Sequence, residues 1–314
     1  MSPLDFVGGS LSPRPPALLA LVLIAALATT QRLVARAGSA YPQQRTAKRV
    51  QFRVPSETEM HDSAYRASAL RGKAILLATR DSLPHAVGNS LRCASCHLGN
   101  GLQKDAMSWV GTYARFPQYR ARSGKVDLIE DRVNDCFERS MNGRALDPRG
   151  RDMRDIVAYF AFLSLGVPVG AEVEGVGLRR LAPRRGDLAR GSEIFKSTCT
   201  RCHGTSGQGS AIAPPLWGPR SYNVGAGMAN ITTAASFVYA LMPIDRAQKL
   251  TEQQAFDVAT FINTRPRPDF SRKSRDWPRG GKPPGADYHI LPSPSVATST
   301  AAPASPSPTT DRGR

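Results

Sequence analysis

Two Cys-x-x-Cys-His motifs set narrow limits on the fold of this chain, one at residues 93–97 and the other at residues 199–203. In such a motif two thiols one helical turn apart can form thioethers with the vinyl groups of a haem, while the adjacent histidine ligates the iron. A single match could be a redox Cys-x-x-Cys beside an incidental histidine. Two matches, each following a segment of helical periodicity, predict two covalently bound haem c groups. The predicted haem-binding residues are Cys93, Cys96, His97, Cys199, Cys202 and His203.

The chain has 314 residues, which is enough for two ordinary domains. The predicted fold class is all-α, with two cytochrome c-like haem domains in tandem and disordered N- and C-terminal extensions. A Gly-, Val-, Pro- and Arg-rich stretch without periodicity marks the domain boundary, and a Pro/Ser-rich end cannot bury a core. The predicted segments are a signal peptide or anchor (1–40), a spacer (41–53), the N-terminal haem domain (54–167), a linker (168–185), the C-terminal haem domain (186–266) and a disordered tail (267–314).

The N-terminus predicts export. Arg14 precedes a 12-residue apolar run, Ala17–Ala28, which is too short for an ordinary membrane span but matches the core of a signal peptide. Small residues that suit cleavage are Ala28, Ala37 and Ala40. The alternative is an uncleaved signal anchor, which would attach the protein to the membrane. We therefore expect a periplasmic protein, as covalent haem attachment requires.

The formal charge of +17 does not indicate nucleic-acid binding. Most of the excess lies in residues 1–55 and 265–314, so the middle of the chain is only mildly basic, and haem propionates would lower its charge further. No helix-turn-helix, zinc-finger or aromatic RNA-binding signature is visible. The charge suits a small anion or an acidic protein partner.

The surroundings of the second motif indicate an electron-transfer domain. A backbone carbonyl of the Pro214-Pro215 pair could orient the ring of His203. Residues 191–262 resemble a class I cytochrome c domain, a family in which the methionine of a Met-Pro pair is the sixth iron ligand. The resemblance places that ligand at Met242, with Met228 in a Gly-rich loop as the rival. A His/Met haem has a relatively high potential, which suits an electron acceptor.

The first domain has no Met-Pro pair, so its sixth ligand is open. The candidates are Met107, Met141, His61, His85 and Cys136. Cys136 is the cysteine left over by the two motifs, and in an ordinary helix it would be a small buried apolar residue. The separation of His97 and Cys136 is 39 residues, equal to that of His203 and Met242. If the domains are copies of one fold, Cys136 lies where a distal ligand belongs.

Arginines cluster around Cys136 in the sequence. Arg132 precedes it by one helical turn, so both side chains can lie on one helix face. Taken singly, each arginine could instead belong to a solvated surface paired with nearby acids. Together they predict an anion pocket that also favours the thiolate. The cluster comprises Arg120, Arg122, Arg132 and Arg139, and the acids that could pair with it are Glu130, Asp131, Asp135 and Glu138.

Three segments resemble the dihaem thiosulfate dehydrogenases of bacteria: residues 88–91, residues 97–98 and, most specifically, residues 132–143. The resemblance covers roughly residues 54–264. Members of that family oxidise two thiosulfates to tetrathionate, and some also run the reverse reaction. The resemblance implies thiosulfate and tetrathionate as ligands and an external electron acceptor, such as another cytochrome or a high-potential redox protein.

The same resemblance implies roles for individual residues. It implies His/Cys ligation of the active-site haem, by His97 and Cys136, and substrate-positioning arginines at Arg122 and Arg132. The second haem would be an electron relay with Met242 as its fixed ligand, because Leu241 stands where some members carry an exchanging lysine. Two other functions remain open: a dihaem electron carrier without a substrate, and a sulfur-oxidising cytochrome that attaches thiosulfate to a carrier protein's cysteine.

Overall fold

The computed structural model describes residues 48–286 and residue 288, and the predicted signal segment lies outside these residues. Within them the chain forms two helical domains in tandem, which confirms the predicted architecture. The helices of the first domain are α1 (Ser63–Leu77), α2 (Thr79–Ser82), α3 (Ile129–Asp135) and α4 (Arg151–Phe162). Those of the second are α5 (Leu188–Ile194), α6 (Thr200–His203), α7 (Ile231–Leu241) and α8 (Glu252–Asn263).

Short strands supplement the helices. β1 (Arg49–Val50) pairs in parallel with β4 (Glu172–Val173), so residues of the predicted spacer and linker join one small sheet. The order expected to begin near Val54 therefore begins earlier. β2 (Gln118–Arg120) and β3 (Lys125–Asp127) form an antiparallel hairpin in which Arg120 lies opposite Lys125. These pairings are backbone contacts between segments without strand periodicity, which explains why the sequence pattern predicted helices and loops alone.

The first domain is organised by the crossing of α1 and α4. Asp62 caps α1 by accepting a hydrogen bond from the backbone N–H of Tyr65 at 2.6 Å. Where the helices cross, a Cβ at Gly72 would lie 1.9 Å from the backbone oxygen of Asp155, so only glycine permits this approach. Arg71 Nη1 donates to the buried Asp155 carboxylate at 2.6 Å, which leaves no unpaired charge in the crossing. The surrounding core includes Ala69, Ile75, Leu76, Met153, Ile156 and Tyr159.

The second domain repeats this arrangement with α5 and α8. Asp187 caps α5 by accepting from the backbone N–H of Arg190 at 2.8 Å. A Cβ at Gly191 would lie 2.0 Å from the backbone oxygen of Asp257. Arg190 Nε donates to the Asp257 carboxylate at 2.9 Å. Glycine, aspartate and arginine thus recur in the same roles, as expected of divergent copies of one fold.

Wider helical turns occur in both domains. A π-helical turn, Cys136–Ser140, continues α3, and another, Phe195–Cys199, joins α5 to α6. Such turns are uncommon and occur frequently at functional sites. In this chain the first begins at the leftover cysteine and the second ends at the first cysteine of a haem motif.

The prediction that residues 267–314 are disordered is wrong for the first part of this segment. Phe270, Asp276 and Trp277 are buried, and Asp276 forms an ion pair with Arg139 of the first domain. The segment lacks helical or strand periodicity, and a few aromatic and charged side chains supply its contacts over long sequence distances. We call residues 267–286 and 288 the C-terminal strap. In the part of the chain that the structure describes, no helix is long and apolar enough to cross a membrane.

Candidate active site

The first motif is anchored to the start of α2. Cys93 begins a 3-10 turn, Cys93–Ser95, that follows the loop after α2. The buried hydroxyl of Thr79 accepts a hydrogen bond from Cys93 N at 3.1 Å and lies 3.3 Å from Cys93 Sγ. The motif is therefore held by the helix that precedes it. None of the five cysteines forms a disulfide, so both motifs keep their thiols for thioether bonds.

The ring of His97 is fixed by a backbone carbonyl. Its Nδ1 lies 2.5 Å from the backbone oxygen of Met107, so Nδ1–H donates and Nε2 keeps its lone pair for a metal. Burial lowers the pKa of His97 to about 4, and the positive charge of Arg132 contributes. The imidazole is thus neutral at ordinary pH, as an iron ligand must be. Trp109 packs beside it, with ring centroids 5.5 Å apart.

His203 is held in the same way. Its Nδ1 lies 2.8 Å from the backbone oxygen of Pro214, where the sequence suggested an orienting carbonyl. Burial lowers the pKa of His203, so this ring is also neutral. Each motif therefore combines two thiols with a neutral histidine whose Nε2 is free to bind iron, which fits a covalently attached haem.

A cavity of about 780 Å³ connects the two motifs. It is lined by Cys199, Cys202 and His203 of the second motif and by Cys96 of the first. Apolar side chains complete it, as the burial of porphyrins requires. These include Leu216, Phe237, Val238, Leu250, Val258 and Ile262. Because the cavity extends from one motif to the other, both haem-binding segments border the same continuous space.

Both candidates for the second distal ligand line this cavity. Met242 follows the last residue of α7, and Met228 lies in the Gly227–Ala229 turn. Asn263 Nδ2 donates to the backbone oxygen of Met228 at 3.0 Å, which ties that loop to the end of α8. Both methionines therefore lie at this cavity, and both remain candidates for the distal ligand of the second haem.

Cys136 lies beside the first motif. Burial raises the pKa of the Cys93 and Cys96 thiols to about 12, and the negative charge of the Cys136 thiolate contributes to both shifts. Cys136 is thus within electrostatic range of both thiols. Arg132 Nη1 lies 2.9 Å from Cys136 Sγ, one helical turn earlier. The charge that Cys136 carries when ionised is the largest cause of the raised pKa of Arg132, so the two side chains interact favourably.

Other candidates for the first distal ligand have other surroundings. His61 and His85 are exposed. The backbone carbonyl of Met107 binds His97 from the proximal side. Met141 is buried in a cluster with Leu91, against which Cys93 of the first motif packs. Cys136 is distinguished among the five by its contact with Arg132, and its role as an iron ligand remains a prediction.

The other arginines of the cluster divide into two groups. Burial lowers the pKa of Arg120, and Arg132 and the Cys136 thiolate are among the charges that act on it. Among the described residues, Arg120 Nε is buried without a hydrogen-bond partner, and its nearest acid oxygen, on Asp127, lies 3.6 Å away. Arg120 therefore joins Arg132 beside the thiolate.

Arg122 and Arg139 are bound by the second domain and the strap. Arg122 Nη1 donates to the backbone oxygen of Gly225 at 2.6 Å. Its guanidinium lies 4.7 Å from the ring centroid of Trp277. Arg139 donates two hydrogen bonds of 2.8 Å to the Asp276 carboxylate. Sequence reasoning missed Gly225, Asp276 and Trp277, although a tryptophan beside an aspartate in an otherwise Pro- and Arg-rich segment was a signal of order.

Comparisons with known proteins agree with this geometry. Residues 85–169 match the SoxA/TsdA cytochrome c domain family, and residues 188–266 match the cytochrome c family. The thiosulfate dehydrogenase of Allochromatium vinosum is 42% identical over 238 residues, or 72% of this chain and 88% of that protein. The thiosulfate dehydrogenase of Psychrobacter arcticus is 38% identical over 242 residues, covering 74% and 73% respectively.

A solved structure shows the same fold. Thiosulfate dehydrogenase TsdBA from Marichromatium purpuratum, in its as-isolated form, superposes with a TM-score of 0.67 at 35% identity over 71% of this chain. The match spans half of that longer protein. Together with the two cytochrome c domains, these likenesses establish that the chain belongs to the thiosulfate dehydrogenase family of c-type cytochromes.

Proposed function

We propose that this chain is a periplasmic dihaem enzyme that joins two thiosulfate ions into tetrathionate. The observation that carries the proposal is the contact of Arg132 Nη1 with Cys136 Sγ at 2.9 Å, in the domain of the first haem motif. A structural cysteine has no need of a buried cation, whereas a thiolate that meets an anionic substrate does. The names of the relatives support thiosulfate as that substrate.

The reaction forms one S–S bond between two thiosulfate dianions and releases two electrons, with no proton taken up or lost. Bringing two dianions together is electrostatically unfavourable. Arg132 and Arg122 hold the sulfonate groups and offset this repulsion, which is a positioning and charge-stabilising role. Arg120, like Arg132, places a positive charge within range of Cys136.

Cys136 takes part by one of two routes. In the first, its thiolate bonds to the outer sulfur of one thiosulfate as two electrons leave, and a second thiosulfate then attacks that sulfur and displaces the thiolate. In the second, Cys136 stays beside the reacting sulfur and forms no bond to it. Both routes release the same product and electrons, and both require Cys136 at its present position.

The haems that the two motifs hold would supply successive one-electron acceptors. Cys93, Cys96 and His97 would hold the first haem, and Cys136 would supply a further ligand to its iron. Cys199, Cys202 and His203 would hold the second haem, whose further iron ligand would be Met242 or, as the alternative, Met228. The continuous cavity between the motifs supports a short route from the first haem to the second.

The electrons leave to an external acceptor, which we propose to be another cytochrome or a high-potential redox protein. The mildly basic middle of the chain suits an acidic partner. Export rests on the apolar run of residues 17–28, which lies outside the described residues.

The decisive experiment adds thiosulfate to the purified, oxidised protein, follows the haem absorption and assays tetrathionate. We expect haem reduction and one tetrathionate for every two electrons. An electron carrier without a substrate would be reduced by protein partners and left oxidised by thiosulfate. A cytochrome that loads thiosulfate onto a carrier protein's cysteine would release no tetrathionate.

A further inference from the structure

The C-terminal strap runs from the second domain across the first and back again. It leaves α8 and pairs with the loop that follows the second motif, where Val224 N donates to the backbone oxygen of Pro268 at 3.0 Å. At its far end, Ile231 N at the start of α7 donates to the backbone oxygen of Gly285 at 3.2 Å. Both ends are thus fixed to the second domain, and the middle faces the first.

The middle of the strap is fastened to the turn that carries Cys136. Asp276 accepts two hydrogen bonds of 2.8 Å from Arg139, which lies three residues after Cys136. The ring of Phe270 packs under the same guanidinium at 4.3 Å. Because Asp276 is 3% exposed, this pair is nearly removed from solvent, and a bidentate pair of this kind fixes orientation as well as distance.

The strap encloses Arg122 on three sides. The backbone N–H of Trp277 donates to the Arg122 backbone oxygen at 2.8 Å. The indole lies under the guanidinium at 4.7 Å, and Asp276 Oδ2 lies 3.9 Å from its Nε. Gly225 accepts from Nη1 at 2.6 Å. These contacts hold the backbone of Arg122 and the face and two edges of its guanidinium group.

Trp277 adopts a conformation that needs support. Its φ of +52° lies in the left-handed region, which a bulky side chain rarely enters. Packing must compensate for this, and Trp277 is only 4% exposed, with its ring against the guanidinium of Arg122. Backbone strain of this kind persists only where the surrounding contacts over-determine the conformation.

We infer that the C-terminal strap is a positioning element of the thiosulfate site, in which Trp277 and Asp276 hold Arg122 in the orientation that binds a sulfonate group. The inference rests on the proposed function, because it assumes that Arg122 meets the substrate. An arginine has many rotamers in solution, and the strap restricts them before substrate arrives. Trp277 acts through Arg122 and is not itself a substrate contact.

The test compares steady-state kinetics of the full-length, haem-loaded protein with those of Trp277→Ala and Trp277→Phe. We expect Trp277→Ala to raise KM for thiosulfate about tenfold while kcat stays within about twofold, since the arginine is displaced and the haems are not. Trp277→Phe should recover most of the lost affinity, because it restores an aromatic face under the guanidinium. The control is Asp269→Asn, a strap carboxylate that is exposed and pairs with Lys273, which should leave both constants unchanged.

A double-mutant cycle separates positioning from mere stability. In an Arg122→Met background, Trp277→Ala should change KM no further, because its target is gone. The inference is overturned if Trp277→Ala leaves KM unchanged, or if it lowers kcat, haem content and thermal stability together without rescue by Trp277→Phe. Failure of the wild-type protein to oxidise thiosulfate would instead contradict the proposed function, so the two outcomes are distinct.

Discussion

In the first domain Gly72 lets α1 cross α4 beside a buried Asp155, and in the second Gly191 lets α5 cross α8 beside a buried Asp257. Both domains then present a neutral histidine that is held by a backbone carbonyl. What differs is the side chain placed 39 residues later: a cysteine paired with Arg132 in one domain and a methionine in the other. One scaffold thus places two different sulfur side chains at the same distance along the chain from its two haem motifs.

A few residue differences on a shared helical fold therefore give the two domains different chemistry. A thioether offers the iron a neutral, tightly packed ligand, which suits electron transfer without a substrate. A thiolate beside buried guanidinium groups attracts anions and can react with sulfur. Arg122 and Arg139 of the first domain also contact Gly225 and Asp276, which lie in the second domain and in the strap.

The largest effect is expected when the Cys136 side chain, which distinguishes the first domain from the second, is removed. Cys136→Ala should lower thiosulfate oxidation by on the order of a thousandfold or more, because the variant lacks the only sulfur nucleophile left free by the motifs. Both haems should stay attached, which a haem stain and absorption spectra would verify. Near-normal turnover in this variant would remove the catalytic assignment of Cys136 and make the domains functionally alike.

The next largest effect should follow from the cation beside the thiolate. Arg132→Met should lower kcat/KM for thiosulfate by about 100-fold, the usual loss when one charge-stabilising donor is removed. Arg154→Met is a matched control, since that arginine is exposed and donates to the backbone oxygen of Arg149. Equal losses in the two variants would mean that overall charge, and not the contact with Cys136, matters.

The next prediction tests the proposed methionine ligand of the second haem. Met242→Gly should remove the sulfur-to-iron absorption band of the oxidised protein and lower the potential of the second haem. Turnover with an external acceptor should fall about tenfold, because a loss of about 59 mV changes a one-electron equilibrium by that factor. The first haem should still be reduced by thiosulfate. If the band survives and is lost in Met228→Gly, Met228 is the ligand.

The smallest effect is expected for stability, at the helix crossing that the two domains share. Gly72→Ala and Gly191→Ala should each lower the free energy of unfolding by about 1–3 kcal/mol, since the added methyl group meets a backbone oxygen that cannot move aside cheaply. Gly177→Ala, where a Cβ would meet nothing within 4 Å, should be neutral in thermal unfolding. A large effect at one crossing and none at the other would show that the domains use the device differently.

Much of this could be predicted from the sequence, because covalent haem attachment demands a short contiguous motif. The equal spacing to Cys136 and Met242, and the carbonyl expected near Pro214, follow from local patterns of the same kind. The carbonyl of Met107 could not be predicted, since every residue has one and side-chain chemistry does not mark it. The strap could not be predicted either, because its order depends on single contacts such as Arg139 with Asp276, which are 137 residues apart.

That long separation has a consequence for how the molecule is assembled. A ribosome makes Arg139 well before Asp276, and the whole second domain lies between them, so Arg122 can gain its indole support only after both domains have been synthesised. The contacts of Arg122 with Trp277 and Asp276 require residues 267–286 and 288. A chain shortened before residue 267 would keep both Cys-x-x-Cys-His motifs and would lose the contacts of Arg122 with Trp277 and of Arg139 with Asp276.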